Sequence, residues 1–453
     1  MIRRLLVSWL VACTITYCVL PYELKSLAEC TGLQYMWLPA TIIISCVFLC
    51  FLCILGHLKD THMFERFLFV ISFGTLSTVT LIYNFTLPFF FVCLLILCFL
   101  VVYGVQGWES KSKIVNNYMK AHPAYLYCAI ILTLIFTAFI SIWTVLRVSA
   151  FRAPTYDFGI FSQMFYNMKT SGVPLTTVER DGLLSHFHVH VSPIYYLLLP
   201  FYWLVPTPAT LQVLQAVVLA SAVIPLWKLA KNHSLNSWTT LLICCLLLVS
   251  PAYSGGVSYD IHENAFLTPL ILWLFYAIER KNTIFTILFS ILTLMVKEDA
   301  AVYVAVIAIY VLLDGALHNN HSKLHYVITG VCMLLGAIVW FVCTTSFLAS
   351  QGDGVMTYRY QNFIYDNSNS LITVIKAVIL CPMKALYECV DSEKLSYISL
   401  TLFPLLGLPL ITRRYERLIL LIPYVLINLM SDYQYQHSIF FQYNFGSIAF
   451  LFY

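Results

Sequence analysis

Apolar runs long enough to cross a bilayer recur through this chain, and its ionisable residues are confined to a few short breaks between them. Such runs lie near 4–20, 37–56, 67–83, 87–105, 123–147, 209–229, 238–254, 265–278, 283–296, 299–313, 324–348, 396–411, 418–430 and 438–453. Inside lipid no water satisfies the backbone N–H and C=O groups, so runs of this kind must be helical. The expected fold is an all-α polytopic membrane protein with about 13–14 transmembrane helices. Its first partner is the lipid bilayer, and its expected location is the cell membrane.

The balance of charge narrows the function. Charged residues make up 10% of the chain and the net charge is +4. No basic patch or basic helix is present, so nucleic acid is not an expected partner. The cysteines fall mostly within apolar runs and read as packing. Cys50 and Cys53 have redox-motif spacing but sit mid-helix, while Cys381 and Cys389 are near enough in sequence to meet in a loop. Met1-Ile2-Arg3-Arg4 and the run after it resemble a signal peptide, read here as an uncleaved first span because no small-residue cleavage site follows.

Residues 1–120 read as an accessory four-helix module with almost no buried ionisable residue, and 121–453 as the main membrane core. The core has two long polar intervals, 148–208 and 349–395. The last run reaches Tyr453, so no C-terminal soluble domain is expected. Within the first interval, 157–170 places Phe158, Phe161, Phe165 and Met168 at helical spacing. Segment 191–205 is short, broken by Pro200 and rich in Tyr and Trp. Both suit helices lying along the membrane surface, joined by 171–190.

Lys and Arg set the orientation. With the N-terminus in the cytoplasm, inside turns carry Arg3, Arg4, Lys228, Lys231, Arg280, Lys281, Lys323, Arg413, Arg414 and Arg417, whereas short outside turns carry Lys25 and Lys297. The polar clusters then all fall outside. Ionisable groups at membrane depth are costly and mark function by default.

Each cluster has a plain alternative. Asp157 at a helix start reads first as a cap, and second as a general base. His186, His188 and His190 would share one face of an extended segment, which suits a metal, but no carboxylate is adjacent in sequence. No cofactor is expected, and a divalent metal is the secondary reading. Asp260, His262 and Glu263 occupy a short turn, where capping would need fewer ionisable groups. Lys297, Glu298 and Asp299 fall in a break too short for a solvated loop, so they pair with each other or face a cavity. Tyr358-Arg359-Tyr360 suits a diphosphate or sugar, or is an exposed loop. Asp432, Gln434, Gln436 and His437 precede the final run and suit sugar hydroxyls.

Tyr156-Asp157-Phe158-Gly159-Ile160-Phe161, His190-Val191-Ser192-Pro193 and Lys297-Glu298-Asp299 together resemble a large prokaryotic family of multi-pass membrane proteins of unknown function. Asp260-Ile261-His262-Glu263 matches that family's acidic–His turn imperfectly. The resemblance spans about 145–453. The family is similar in turn to the GT-C glycosyltransferases, which carry an acidic residue after the span preceding a long extracytoplasmic loop with two surface helices. The resemblance implies a GT-C-like core and an inverting transfer from a polyprenyl-phosphate sugar to an extracytoplasmic glycan, lipid or protein acceptor. Asp157 would be the base. Lys297, with Arg359 or His262, would stabilise the leaving phosphate. His186, His190, Asp260, Glu263, Glu298, Asp299 and His437 would position sugar and phosphate. Relatives often carry two adjacent acids where this chain has Asp157-Phe158, which argues against metal dependence. The competing readings are a lipid-linked-sugar flippase or other transporter, and a structural membrane protein.

Overall fold

The computed structural model describes residues 2–19, 38–58, 61–83, 123–153, 156–180, 182–318, 323–351, 354, 356–364, 370–412 and 414–453. The expected run at 87–105 lies outside them. Among the described residues the protein is an all-α polytopic membrane protein, with one small exception. Leu175–Thr176 pairs antiparallel with Leu184–Ser185.

Among the described residues, five helices are individually long and apolar enough to span: Pro39–His57, Pro123–Ser149, Pro208–Asn232, Ala300–His318 and Lys323–Gln351. A sixth is bent by 51° between Ser237–Val249 and Pro251–Val257. Pro251 enters at the start of the second half, where its missing N–H costs nothing. Gly255 and Gly256 then let the 439–441 backbone come close, since a Cβ on Gly255 would lie 2.6 Å from the Ile439 carbonyl oxygen.

This is fewer long helices than the apolar runs suggest. Thr283–Leu294 has 12 residues. The expected spans at 396–411, 418–430 and 438–453 resolve into Ser392–Leu402, the 3-10 turns Leu408–Leu410 and Tyr415–Leu421, a π turn at Tyr424–Leu429, and Asn444–Phe452. Hydropathy reports burial. It does not distinguish a lipid-spanning helix from apolar chain packed inside protein.

The chain divides into two compact units, one of residues 1–120 and 391–411, the other of 121–390 and 412–453. In the first, Val7, Val11 and Leu52 are buried together. An ionisable residue of this unit is buried. Glu65 is fully buried and takes Arg4 Nε at 2.9 Å, tying helix Ile2–Val19 to helix His62–Tyr83.

The second unit holds the large apolar core. Helix Ala300–His318 packs along Lys323–Gln351, and small residues let the backbones approach. A Cβ on Gly315 would lie 2.4 Å from Tyr326 Cβ, an atom fixed to the facing backbone. Gly315→Ala is therefore expected to destabilise the protein by about 1–3 kcal/mol. A thermal unfolding midpoint equal to wild type in detergent would contradict that close packing.

Helix Asp157–Ser171 buries Ile160, Phe161, Met164, Phe165 and Met168, and ends at Gly172 with φ 76°. The 191–205 segment forms a 3-10 turn, Pro193–Leu197, followed by helix Leu199–Leu204, with Phe201, Trp203 and Leu204 exposed.

Candidate functional site

The sequence clusters meet through side chains that their own helices cannot satisfy. Asp157 is the first residue of its helix and Tyr156 its cap. Its Oδ2 accepts from the Tyr259 hydroxyl at 2.9 Å and lies 3.6 Å from His262 Nε2. Its side chain keeps 31% exposure, unlike most of the site. His262 sits between Phe161, edge-on at 4.9 Å, and Tyr259, stacked at 5.2 Å.

The His262 ring has an assigned tautomer. Nδ1 lies 3.0 Å from the Asp260 carbonyl oxygen, which can only accept, so Nδ1 carries a proton. The other ring nitrogen, Nε2, is thereby aimed at Asp157 Oδ2.

The turn 259–262 is pinned from two spans. Arg147, in the last turn of helix Pro123–Ser149, donates to the Asp260 carboxylate and to the Ser258 carbonyl. Gln212 Nε2 donates to Asp260 Oδ1 at 2.6 Å, Gln215 Nε2 to the Tyr259 carbonyl at 2.9 Å, and the His262 N–H to Gln215 Oε1 at 2.9 Å. The capping reading of this turn is thereby corrected. His262 caps the 3-10 turn Glu263–Phe266 without a side-chain bond, and the carboxylates bond elsewhere.

Glu263 bridges to Lys297 at 2.9 Å and accepts from the Tyr195 hydroxyl at 2.7 Å. Burial pushes this carboxyl up, but Lys297, with His262, His190 and His186 adding, holds it well below the usual range. Lys297 is buried too, and despite that Glu263 raises its ammonium above the ordinary value. The self-contained Lys297–Glu298 pair is not formed. Instead Glu298 accepts from His190 Nδ1 at 2.9 Å and the Val191 N–H at 3.1 Å. Burial disfavours its charge, yet His190 and Lys297 keep the carboxyl below its usual range. Burial and then Lys297 lower His190. Asp299 is pushed up to about 6 by burial, opposed by Lys297 and reinforced by Glu298.

The extended arrangement of three histidines is also corrected. His186–His188 is a 3-10 turn, so His186 and His190 rings approach to 6.0 Å while His188 turns to Phe347. Folding supplies the carboxylates missing nearby in sequence: Glu179 meets His186 Nδ1 at 2.9 Å, and Glu298 meets His190.

Arg359 is not an exposed loop residue. It is buried, with its guanidinium 5.1 Å from the Tyr433 ring centre and 5.2 Å from that of Tyr443. Of its sequence neighbours, Tyr360 turns away to the Leu426 carbonyl, whereas the half-exposed Tyr358 stays beside the guanidinium. Rings run from Tyr433 through Tyr435 and Phe441 to Tyr259, linking Arg359 to His262. His437 is buried on the turn Gln434–His437, whose Gln436 accepts from Ser431 Oγ. Cys381 is a free, exposed thiol, so the suggested loop pairing of Cys381 with Cys389 is not formed.

Several buried polar atoms on these segments have no partner among the described residues: His186 Nε2, Ser192 Oγ, Asn264 Oδ1, Arg359 Nε and Gln442 Oε1. Buried polar groups are normally satisfied, so a concentration of exceptions marks a place for water or ligand. Sequence reasoning missed Arg147, Tyr195, Gln212, Gln215 and Tyr259. Gln212 and Gln215, three apart in an apolar span, and Arg147 at a span's end were legible signals.

Residues 147–453 match the model of a family described as predicted membrane protein (DUF2079). No curated protein and no solved structure matches the chain.

Proposed function

We propose, from the premise that the chain belongs to the DUF2079 family of predicted membrane proteins, that it is an inverting glycosyltransferase. The donor is a polyprenyl-phosphate sugar and the acceptor an extracytoplasmic hydroxyl. The observation that carries the reading is the partly exposed Asp157 carboxylate set 3.6 Å from His262, beside a site holding two buried cations, Lys297 and Arg359.

In the proposed step the acceptor O–H gives its proton to Asp157 Oδ2. The acceptor oxygen forms a bond to the anomeric carbon, and that carbon's bond to the phosphate oxygen breaks. The electron pair leaves with the polyprenyl phosphate. Lys297 and Arg359 favour the charge developing there. His262 Nε2 is the next acceptor for the proton on Asp157. A GT-C-like core is part of the proposal, with Asp157–Ser171 and Leu199–Leu204 as its surface helices. The extracytoplasmic side rests on the Lys/Arg bias.

The test is transfer by the purified chain in lipid nanodiscs supplied with labelled polyprenyl-phosphate sugars. Label moving to acceptor with inverted anomeric configuration is expected. Movement of the labelled lipid between leaflets without transfer would favour the transporter reading instead. For the side, reporter fusions at the turn Arg414–Arg417 are expected to work only as cytoplasmic reporters. An extracytoplasmic signal there would overturn the assigned orientation.

A further inference from the structure

The helix Ala300–His318 begins beside Lys297-Glu298-Asp299 and carries a second polar cluster at its other end. Asp314 and His318 are four residues apart, so they share one face of its last turn. Glu416, on the 3-10 turn Tyr415–Leu421, meets His318 Nε2 at 2.8 Å. One donor atom from each of the three lies within 4.8 Å of the others. The Asp314 and Glu416 side chains are 14% and 8% exposed and His318 is 38% exposed, so two carboxylates face one imidazole at the protein surface. Asp314 and His318 also line a cavity of about 270 Å³. Its other carboxylate, Glu279, is already engaged by Asn232 and His233 at 2.6 Å and by Tyr453 at 3.1 Å.

We infer that Asp314, His318 and Glu416 bind a divalent transition-metal ion. One nitrogen and two carboxylate oxygens suit Zn²⁺ or Mn²⁺, whereas Ca²⁺ takes six or more oxygens and Mg²⁺ prefers oxygen throughout. The cavity leaves room for water at the remaining positions. The ion replaces the His318–Glu416 hydrogen bond and clamps the helix end to the 415–421 segment. Arg414 competes with it, because its Nη1 holds Asp314 at 3.3 Å. The inference does not depend on the transfer reaction.

The test uses the full chain in detergent, stripped with a chelator and titrated with Zn²⁺ alone against a fluorescent competitor. Co²⁺ absorption bands give a second readout. One ion per chain is expected. Asp314→Asn, His318→Ala and Glu416→Gln should each weaken binding about tenfold or more. Glu416→Gln keeps a hydrogen bond to His318, and unchanged helicity by circular dichroism shows that it still folds. Arg414→Gln should bind equally or more tightly, since it removes a competing cation from Asp314. Absence of stoichiometric binding, binding unaffected by both His318→Ala and Glu416→Gln, or weaker binding by Arg414→Gln would each overturn the site.

Discussion

Asp157→Asn is expected to lower sugar transfer about a hundredfold or more while leaving donor binding and folding near wild type. Asparagine keeps an oxygen for the Tyr259 hydroxyl, now at 2.9 Å, so the local geometry survives. It loses the basicity that takes the acceptor proton. Its amide is also placed to keep the contact with His262 Nε2. Transfer and lipid-donor binding are measured in parallel on purified protein. A rate within a few-fold of wild type would remove the base role and leave Asp157 as part of the helix start. Loss of binding and transfer together would assign it to holding the donor.

Lys297→Ala is expected to act first on stability. Lys297 and Glu263 are 4% and 2% exposed, and removing the ammonium strands a buried carboxylate. Breaking such a pair costs about 3–5 kcal/mol. The pH dependence has a definite sign. In wild type the Glu263 carboxyl lies well below its usual range, so its stabilisation is present above the ordinary carboxylate pKa and is lost on acidification through the depressed folded value. In the variant the stranded carboxyl is raised instead, so the deficit should shrink as pH falls. Lys297→Met with Glu263→Gln should recover most of the loss, because Gln still accepts from Tyr195. Unfolding midpoints across pH measure all three proteins. A Lys297→Ala deficit below about 0.5 kcal/mol would show that water reaches the pair.

Some of this site was legible in the sequence. The break at 297–299 is too short to solvate three charges, and two of them, Lys297 and Glu298, do find partners within the fold. Partner choice was not legible. Lys297 bonds Glu263 and Glu298 bonds His190, across 34 and 108 residues, where adjacency suggested that Lys297 and Glu298 would pair. The alternation of His186, His188 and His190 implied an extended face, and a single 3-10 turn redirected one ring. Arg359 was legible only in part, since the rings its guanidinium lies over are Tyr433 and Tyr443, and Tyr360 beside it bonds the Leu426 carbonyl.

By itself the sequence determined the class, the membrane location and the residues too polar to be left alone. Transfer free energy and backbone hydrogen bonding act on local composition, and lipid leaves the backbone few choices. Tertiary structure alone decided which charge meets which, which apolar runs are true long helices, and that Asp157 lies against His262. Those outcomes depend on distances between segments far apart in the chain. In a low-dielectric interior, contact geometry outweighs proximity in sequence.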